Sequence, residues 1–441
     1  MSERSTLDLA GVGAGPFNLS IAALADSRLP QLATRFFERR QALSWHPGLM
    51  LPDTHLQTGF LKDLVTAVAP DSRHSFLNYL VSHRRFYRFL NAELGSVSRA
   101  EFSDYLRWVG ERLESVTLGQ GVREIDLDAH GFRLRTDSGD YRARHLCLGT
   151  GKAPWMPEFA TALRGAHCLH ASEIAHARRD FSDLRVMVVG GGQSGADVFL
   201  NALRGHWGQP RSLDWISRRR NFEPLDETAF TNEYFTPGYT GAFHGLPRAV
   251  REREVAAQKL ASDGITPAAL QTLYRELYHR FDVLGEPRWA RLLPHRSAVA
   301  LARQGAGMRL TTEHGLGGER ERFDADVVIF ATGFCSQLPA CLAPLTERLA
   351  RDAQGELVLG PHFEVAWDGP AAHRLYAVNA GRHSHGIAEP QLSLMAWRSA
   401  TILNHVAGRE VFDLADSDGP VAWHPLAAHS EVVEQRWAQA I

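Results

Sequence analysis

The sequence predicts an α/β protein with two doubly wound parallel sheets and a smaller helical region. Apolar, β-rich runs end in glycine clusters at 7–13 and again at 185–192, and a helix-like stretch follows each cluster. This is the pattern of a buried parallel strand that turns onto a helix. The two turns lie about 175 residues apart, which is the usual size of a complete domain. The length of 441 residues also fits two or three domains.

The composition is that of an ordinary globular protein with a sizeable core. Hydrophobic residues make up 44% of the chain and charged residues 22%. With 48 Lys and Arg against 50 Asp and Glu, the formal net charge is −2. This balance provides no global field for a nucleic acid or a membrane surface, so we expect neither as a partner.

The cysteines and the absence of long apolar runs indicate in which cellular compartment the protein is expected. Four scattered cysteines form no C-x-x-C pair, namely Cys147, Cys168, Cys335 and Cys341. We expect buried free thiols rather than a disulfide framework, a zinc ribbon or a dithiol redox centre. The opening residues MSERSTLD do not resemble a signal peptide, and no run approaches the roughly 18 apolar residues of a spanning helix. We therefore expect a protein of the reducing cytoplasm.

Strands and helices alternate along the rest of the chain. Further β-rich runs lie at 35–39, 213–218, 325–333 and 374–381. The clearest helix follows Thr266, a candidate cap, and Pro267. Its predicted apolar face comprises Leu270, Leu273, Tyr274, Leu277 and Phe281. The segments HLCLGTGKAPWMP and VVIFATGF each leave a strand through glycine, which is typical of a crossing between domains.

The first glycine loop is Gly13-x-Gly15-x-x-Asn18, directly after the strand that begins at Leu7. Its two glycines permit a tight turn and close approach of the backbone to a pyrophosphate, which lies on the next helix N-terminus. Asn18 replaces the third glycine of this motif, and we expect it to widen the turn slightly. Glu38 ends the second strand, where an acid binds a ribose with free hydroxyls, as in FAD or NAD.

The second loop is a complete G-x-G-x-x-G motif. It comprises Gly190, Gly191, Gly192, Gln193, Ser194 and Gly195. Its second strand ends in Ser217 and three arginines, of which Arg218 is the first, rather than in an acid. Guanidinium groups hold a ribose 2′-phosphate that a carboxylate would repel, so this loop predicts NADPH.

Two loops therefore predict two dinucleotides, namely a flavin that stays bound and an NADPH that binds and dissociates. We expect the second unit to be inserted into the first. The FAD domain would comprise 1–175 and 325–441. The NADPH domain would comprise 176–324, including a helical substrate region at 225–290.

Several long motifs carry a resemblance to one enzyme family. They are GVGAGPFNLSIAAL, SWHPGLMLPDTHLQTGFLKDLVTAVAP, VVGGGQSGAD, DETAFTNEYFTP, VVIFATGF and HSHGIAEPQLSLMAWRSA. In order and spacing they resemble the lysine, ornithine and diamine N-hydroxylases of hydroxamate siderophore synthesis, from about residue 7 to 415. The resemblance is greatest to the lysine 6-monooxygenases. It implies a reaction in which NADPH reduces FAD, O2 adds to give a C4a-hydroperoxyflavin, and an unprotonated terminal amine takes up one oxygen atom.

The same resemblance implies the residues that contact each ligand. For FAD these are, beside the first loop and Glu38, the residues Trp45, His46, Gln57, Val122, Pro390, Gln391 and Leu392. For NADP they are the second loop, Arg218, and, in a region where the alignment is loose, Ser262 and Asp263. For the substrate they are Lys62, Asn232, Glu233, Tyr234, Phe235 and Ser393. Lys62 matches the lysine that pairs with the carboxylate of an amino-acid substrate, and Gln57 and Asn232 would support the flavin-driven reaction.

The substrate stays open between L-lysine, a short diamine such as putrescine or cadaverine, and, as an alternative, L-ornithine. Ser262 and Asp263 stand where ornithine hydroxylases carry a T-N-Y stretch. An acid near the bound amine favours a longer or doubly cationic substrate. We also expect a homo-oligomer, either a dimer or a tetramer.

Two other functional classes compete with this interpretation. One is another flavin monooxygenase, which lacks support because its histidine-containing fingerprint is not seen between the two loops. The other is a nucleotide-sensing protein without catalysis, which the combined cofactor and substrate motifs disfavour. His383, His385 and Glu389 lie close together in sequence, but they follow no metal-binding pattern, so no metal is predicted.

Overall fold

The structure is a computed structural model that describes residues 6–176, 179–415 and 419–424. These residues form seventeen strands: β1 (Leu7–Val12), β2 (Thr34–Phe37), β3 (Val116–Thr117), β4 (Val122–Asp128), β5 (Gly131–Thr136), β6 (Gly139–Leu148), β7 (Ala153–Pro154), β8 (Cys168–His170), β9 (Arg185–Val189), β10 (Ser212–Ile216), β11 (Ala290–Leu293), β12 (Arg296–Gln304), β13 (Gly307–His314), β14 (Arg320–Ala325), β15 (Val327–Phe330), β16 (Phe334–Cys335) and β17 (Leu375–Ala377). Every β-rich run predicted above contains a strand.

The α-helices of the described residues are α1 (Pro16–Arg28), α2 (Phe76–Ser82), α3 (Phe86–Asn91), α4 (Arg99–Gly110), α5 (Glu158–Thr161), α6 (Gln193–Leu203), α7 (Ala229–Asn232), α8 (Pro237–His244), α9 (Arg248–Ala257), α10 (Lys259–Asp263), α11 (Pro267–Tyr278), α12 (Arg382–His385) and α13 (Met395–Ala407). Short 3₁₀ segments lie at Pro47–Leu49, Ala171–Glu173, Glu233–Phe235, Ala340–Arg348 and Leu392–Leu394, and a π-helical turn at His279–Val283. Among these residues no helix combines the length and the hydropathy that a membrane crossing requires.

The first sheet has a parallel part and an antiparallel part. Strands β3, β2, β1 and β6 lie side by side in parallel, and β17 pairs in parallel with the carboxyl-terminal end of β6. The other end of β6 continues into an antiparallel meander with β5 and β4. Helices α1, α4 and α13 pack together on one side, around a core that includes Leu19, Ile21 and Leu24. Since parallel strands end at the same edge, the turns after β1, β6 and β17 meet there.

The second sheet is entirely parallel, in the order β11, β10, β9, β15 and β8. This order corrects the expected domain boundaries. The boundaries at 175 and 325 placed β8 and β15 in the first domain, but Val327–Phe330 hydrogen-bonds between Val186–Val189 and Cys168–His170. Both strands therefore belong to the second sheet. The chain crosses between the two sheets through β7 and β16, which pair with each other.

The predicted helix after Thr266 is α11, and one residue of its predicted apolar face lies outside the core. Leu273 and Phe281 are buried in the core of the second unit, whereas Tyr274 is exposed. Thr266 stands at the N-cap position, but its side chain makes no capping hydrogen bond. Its backbone N–H instead donates to Oε1 of Gln193 at 2.8 Å, which ties α11 to the second glycine loop.

Candidate active site

The first glycine loop is a tight turn whose backbone is left open. Gly13 has φ of 84°, and a Cβ added there would lie 2.6 Å from the carbonyl oxygen of Gly149, so both the conformation and the space require glycine. Helix α1 follows with Gly15 at its N-cap and no side-chain cap, which leaves its first amide groups free for a phosphate. These observations fit the pyrophosphate of FAD.

Asn18 has a role that the motif did not predict. The side chain is completely buried, and its Nδ2 donates to the carbonyl oxygen of Gly13 at 2.7 Å. The same nitrogen lies 3.3 Å from the carbonyl oxygen of Val12 and 3.4 Å from that of Cys147 in β6. Asn18 therefore ties the turn to its own strand and to the neighbouring strand. The sequence pattern predicted only a slight widening of the turn and did not predict these hydrogen bonds.

Glu38 lies where the adenosine half of FAD is expected. One of its carboxylate oxygens accepts from the backbone N–H of Ala14 at 3.1 Å, within the first loop. Gly15, Glu38 and Trp45 line one cavity of about 40 Å³. Val122, expected near the adenine, packs against the core beneath the first sheet.

At two positions of the second loop, the neighbouring backbone leaves no room for a side chain. Gly190 has φ of 134°, and an added Cβ would collide with the carbonyl of Ala331. At Gly195 an added Cβ would collide with the carbonyl of Gly190, because α6 packs directly on β9. Gly192 caps α6 without a side chain, and nothing lies closer to its added Cβ than the Asp263 carbonyl at 4.0 Å. The free amides at this N-terminus fit the phosphates of NADPH.

The arginines after β10 point in different directions. Arg218, expected at the 2′-phosphate, is exposed at the end of the strand. Arg219 is half-buried, its stem lies beside Gly191 of the second loop, and its guanidinium donates to the carbonyl of Asp263 in α10 at 2.7 Å. The structure therefore brings Arg219 to the second loop, and the role of Arg218 stays a prediction.

The expected FAD and NADP residues meet in the cleft between the two sheets. Nε2 of Gln57 lies 3.4 Å from Oε1 of Gln193 and 3.4 Å from the carbonyl of Gly264. His46, next to Trp45, stacks obliquely on Phe334 with ring centroids 5.6 Å apart. Burial, and then the nearby Arg99 and Arg40, lower the pKa of His46 to about 4, so the imidazole is neutral near pH 7.

A buried ion pair holds the turn that contains Pro390, Gln391 and Leu392. Glu389 and Arg398 are both buried, with Nη1 of Arg398 2.8 Å from Oε1 of Glu389. The same carboxylate accepts from the backbone N–H groups of Asn379 at 2.6 Å and Gly381 at 2.9 Å. This network fixes the expected flavin-side turn relative to the end of β17.

Three of the expected substrate residues come together, although they lie far apart in the sequence. Nζ of Lys62 lies 3.4 Å from the hydroxyl oxygen of Ser393 and 6.0 Å from the ring centroid of Phe235. Burial lowers the pKa of Lys62, because the apolar surroundings disfavour the ammonium. We call Lys62, Phe235 and Ser393 the substrate cluster.

The rest of the NEYF segment faces elsewhere. Asn232 is exposed, and its Nδ2 lies 3.4 Å from the carbonyl of Glu227. Tyr234 packs against Tyr239, with ring centroids 4.9 Å apart, and against Trp423 of the carboxyl-terminal segment at 5.5 Å. Glu233 is half-buried at the start of the 3₁₀ segment. A direct substrate contact by Asn232, Glu233 or Tyr234 stays a prediction.

The structure changes the interpretation of Ser262 and Asp263. The Asp263 carboxylate contacts two cations, Lys259 at 2.9 Å and Arg382 at 3.1 Å. Burial alone would raise the pKa of Asp263, but Arg382 and Lys259 hold it below the usual range. Ser262 accepts from Arg382 at 3.0 Å. Asp263 is thus already neutralised, and it no longer supports a doubly cationic substrate.

The histidines near Glu389 have protein partners. His383 Nδ1 lies 2.6 Å from a carboxylate oxygen of Glu356, and this contact raises the pKa of His383. His385 is buried and stacks on Phe363 at 4.1 Å. In the part of the chain that the structure describes, no group of three or more His, Cys, Asp or Glu side chains is arranged to hold a metal ion.

Two helix N-termini without side-chain caps, each behind a glycine loop, define a protein that binds two dinucleotides. A family model described as L-lysine 6-monooxygenase/L-ornithine 5-monooxygenase matches residues 5–336. The chain belongs to this family of N-hydroxylating monooxygenases. Its cofactors are FAD and NADPH, and the two glycine loops fit them.

Individual relatives match over nearly the whole chain. An L-lysine N6-monooxygenase of Escherichia coli is 50% identical over 422 residues, which cover 95% of this chain and 99% of the relative. A putrescine N-hydroxylase of Acinetobacter baumannii is 31% identical and covers 98% and 96% of the two chains. The solved structure of an FAD-bound cadaverine monooxygenase of Erwinia amylovora superposes with a TM-score of 0.87 at 27% identity, over 96% of this chain and 99% of that one.

Proposed function

We propose that the chain hydroxylates the terminal amine of L-lysine, with NADPH and O2, in hydroxamate siderophore biosynthesis. The observation that carries the proposal is the substrate cluster. The Lys62 ammonium faces a hydroxyl and an aromatic ring, and no carboxylate of the described residues lies within ion-pair distance of it. A half-buried ammonium is stabilised by an anionic partner, and the carboxylate of an amino-acid substrate would provide one.

The chain's own residues would divide the work as follows. Lys62 binds the substrate carboxylate, and the Ser393 hydroxyl, which already contacts Lys62, orients it. Phe235 lies beside Lys62 and shields the ion pair with the carboxylate from water. FAD, when bound and reduced by NADPH, would activate O2, so that one oxygen atom is transferred to the free amine and the other leaves as water.

Relatives with the names lysine N6-monooxygenase and putrescine N-hydroxylase support two substrate classes, at 50% and 31% identity. A short diamine is therefore the second candidate, although it brings no carboxylate to Lys62. The homo-oligomer and the cytoplasmic location stay predictions, and light scattering on the purified protein measures the first.

Lys62→Ala tests the proposal. Removal of the ammonium leaves the substrate carboxylate unpaired, which costs on the order of 3 kcal/mol, or a hundredfold in kcat/KM with L-lysine. With cadaverine the same variant should lose little, and Lys62→Arg should recover part of the activity with L-lysine. The measurement is hydroxylamine formation by wild type and variants with lysine, ornithine, cadaverine and putrescine. Turnover of diamines alone by the wild type contradicts the proposal.

A further inference from the structure

The residue after Lys62 is a buried acid. Asp63 is 1% exposed, and among the residues that the structure describes it forms no ion pair. A carboxylate that is buried without a cation must be stabilised by hydrogen bonds. Burial raises the pKa of Asp63, and hydrogen bonds from the surrounding backbone act in the opposite direction. The contacts of this carboxylate therefore show what it stabilises.

Both oxygens of Asp63 face hydrogen-bond donors. Oδ1 accepts from the backbone N–H groups of Val65 at 3.0 Å and Thr66 at 2.7 Å. Oδ2 accepts from the hydroxyl of Thr66 at 2.7 Å and from the backbone N–H of Phe76, the first residue of α2, at 2.6 Å. An amide nitrogen in place of either oxygen would face a backbone N–H, so only the carboxylate satisfies all four donors.

These contacts fix the turn that carries Lys62. The next residue, Leu64, is held by two other helices. Its carbonyl accepts from the hydroxyl of Ser20 in α1 at 2.5 Å, and its backbone nitrogen lies 3.4 Å from the hydroxyl oxygen of Tyr105 in α4. The turn is thus anchored to α1, α2 and α4, and Asp63 provides the link to α2.

The Lys62 side chain is less constrained than the turn behind it. Its backbone N–H donates to the carbonyl of Gly59 at 3.0 Å, whereas its ammonium has only the 3.4 Å contact with the Ser393 hydroxyl. A four-carbon stem is flexible, so the position of the ammonium depends on how firmly the Lys62 backbone is held. A rotation of the turn moves the far end of the stem more than it moves the backbone.

We propose that Asp63 is a positioning residue for the substrate. Its carboxylate holds the turn at 62–66 against α2, so that Lys62 presents its ammonium to the substrate carboxylate beside Ser393. None of the four contacts of Asp63 involves the substrate cluster, so Asp63 acts through Lys62. The inference rests on the proposed function, because it takes Lys62 as the partner of that carboxylate. The alternative is a role of Asp63 in stability alone.

A double-mutant cycle separates the two roles. Asp63→Asn keeps the size of the side chain but replaces one acceptor by a donor, and kcat/KM with L-lysine should fall about tenfold, mainly through KM. In a Lys62→Ala background the same substitution should change kcat/KM less than about twofold, because the ammonium that Asp63 orients is absent. Hydroxylamine formation by the FAD-loaded enzyme is measured for wild type, both single variants and the double variant.

Ser75→Ala is the matched control. Ser75 caps the same helix, since its hydroxyl oxygen accepts from the backbone N–H of Asn78 at 3.2 Å. Loss of this cap should lower the free energy of unfolding by about 1 kcal/mol but leave KM for L-lysine unchanged. Urea unfolding and kinetics are measured for both variants. If Ser75→Ala raises KM as much as Asp63→Asn does, any weakening of α2 has the same effect and the positioning role is overturned.

Thr66→Val decides the question if Asp63→Asn does not fold. It removes only the hydroxyl donor to Oδ2, so KM for L-lysine should rise about threefold, again without a further effect in the Lys62→Ala background. Thr66→Ser keeps the hydroxyl and should have a KM close to that of the wild type.

The outcomes distinguish this inference from the proposed function. Independent, multiplying losses in the cycle, or an unchanged KM in the folded variant, overturn the positioning role. In both cases a loss of about a hundredfold in Lys62→Ala still supports the proposed function. A Lys62→Ala protein that keeps its activity with L-lysine overturns the proposed function, and the positioning role with it.

Discussion

The first and second glycine loops make the same strand-to-helix turn, but the chain holds them in different ways. In the first loop, a side chain holds the turn in place. The buried Asn18 donates to the turn and lies within hydrogen-bond distance of the strand beside it. In the second loop Gly195 lets α6 approach the Gly190 carbonyl, which also accepts from Nε1 of Trp215 at 2.8 Å. A departure from the glycine motif is therefore compensated by hydrogen bonds rather than by a looser turn.

The two loops also differ at the end of the neighbouring strand. Glu38 returns to the first loop and accepts from the Ala14 amide. At the second loop, the space beside Gly191 holds the hydroxyl of Ser217 and the stem of Arg219. An acid at one loop and cations at the other give each dinucleotide its own partner. Four predictions test how far this contrast extends.

The largest effect is expected from changes to the third motif position of each loop. Gly195→Ala places a methyl group against the Gly190 carbonyl and should cost on the order of 3 kcal/mol and weaken NADP⁺ binding. Asn18→Gly removes buried hydrogen bonds and should cost about 2 kcal/mol and release FAD more readily. Urea unfolding and the two cofactor affinities measure both variants. An Asn18→Gly protein with unchanged stability would show that the side chain does not hold the turn.

Acid should weaken the first unit through His145. This residue is buried in β6, and its Nδ1 accepts from the backbone N–H of Arg374 at 3.1 Å. Burial, and then nearby cations, lower the pKa of His145 to about 3. Between pH 6.5 and 3 the His145 imidazole is protonated in the unfolded chain but stays neutral in the folded chain. The free energy of unfolding therefore falls as the pH falls through this window.

At pH 5 this histidine should account for roughly 2 kcal/mol of lost stability relative to pH 7.5. Urea unfolding at both pH values measures it, and His145→Asn, which keeps an acceptor, should flatten the dependence. His170 of the second sheet is the comparison. The pKa of His170 is lowered by burial, but its contact with the Gly333 carbonyl favours the proton. If His170→Asn reduces the pH dependence of stability more than His145→Asn does, the prediction that His145 accounts for the acid sensitivity is wrong.

Coenzyme preference should follow the arginines of the second unit. Wild type should prefer NADPH to NADH at least tenfold, which corresponds to about 1.4 kcal/mol. Arg218→Ala should raise KM for NADPH and leave NADH little changed. Arg219→Ala removes the contact with the Asp263 carbonyl and should affect both coenzymes, because both groups pack beside the second loop. Steady-state kinetics with the two coenzymes distinguish these results, and equal rates of wild type with both refute the preference.

The smallest effect is expected at Glu38. Glu38→Gln keeps the size of the side chain and an acceptor for the Ala14 amide, but it weakens the bond to a ribose hydroxyl. FAD affinity should fall about fivefold, or roughly 1 kcal/mol, while NADP⁺ affinity stays unchanged. Fluorescence titration of FAD measures this change. A larger effect on NADP⁺ than on FAD would mean that the two strand ends do not serve separate dinucleotides.

The sequence by itself determined the features that follow from local patterns. Strand, glycine turn and helix are contiguous, so both loops and the α/β class could be predicted, as could the helix after Thr266. The resemblance also selected Lys62, Phe235 and Ser393, which the fold brings together.

Only the tertiary structure decided which of several neighbouring candidates faces the cleft. The membership of β8 and β15 in the second sheet depends on hydrogen bonds between distant strands. The partners of Asp263 depend on how the inserted helices meet the turn at Arg382, and the direction of Arg219 depends on where β10 ends. Local spacing fixes a turn, but the contacts of a side chain are set by the elements packed around it, which adjacent residues in the sequence do not encode.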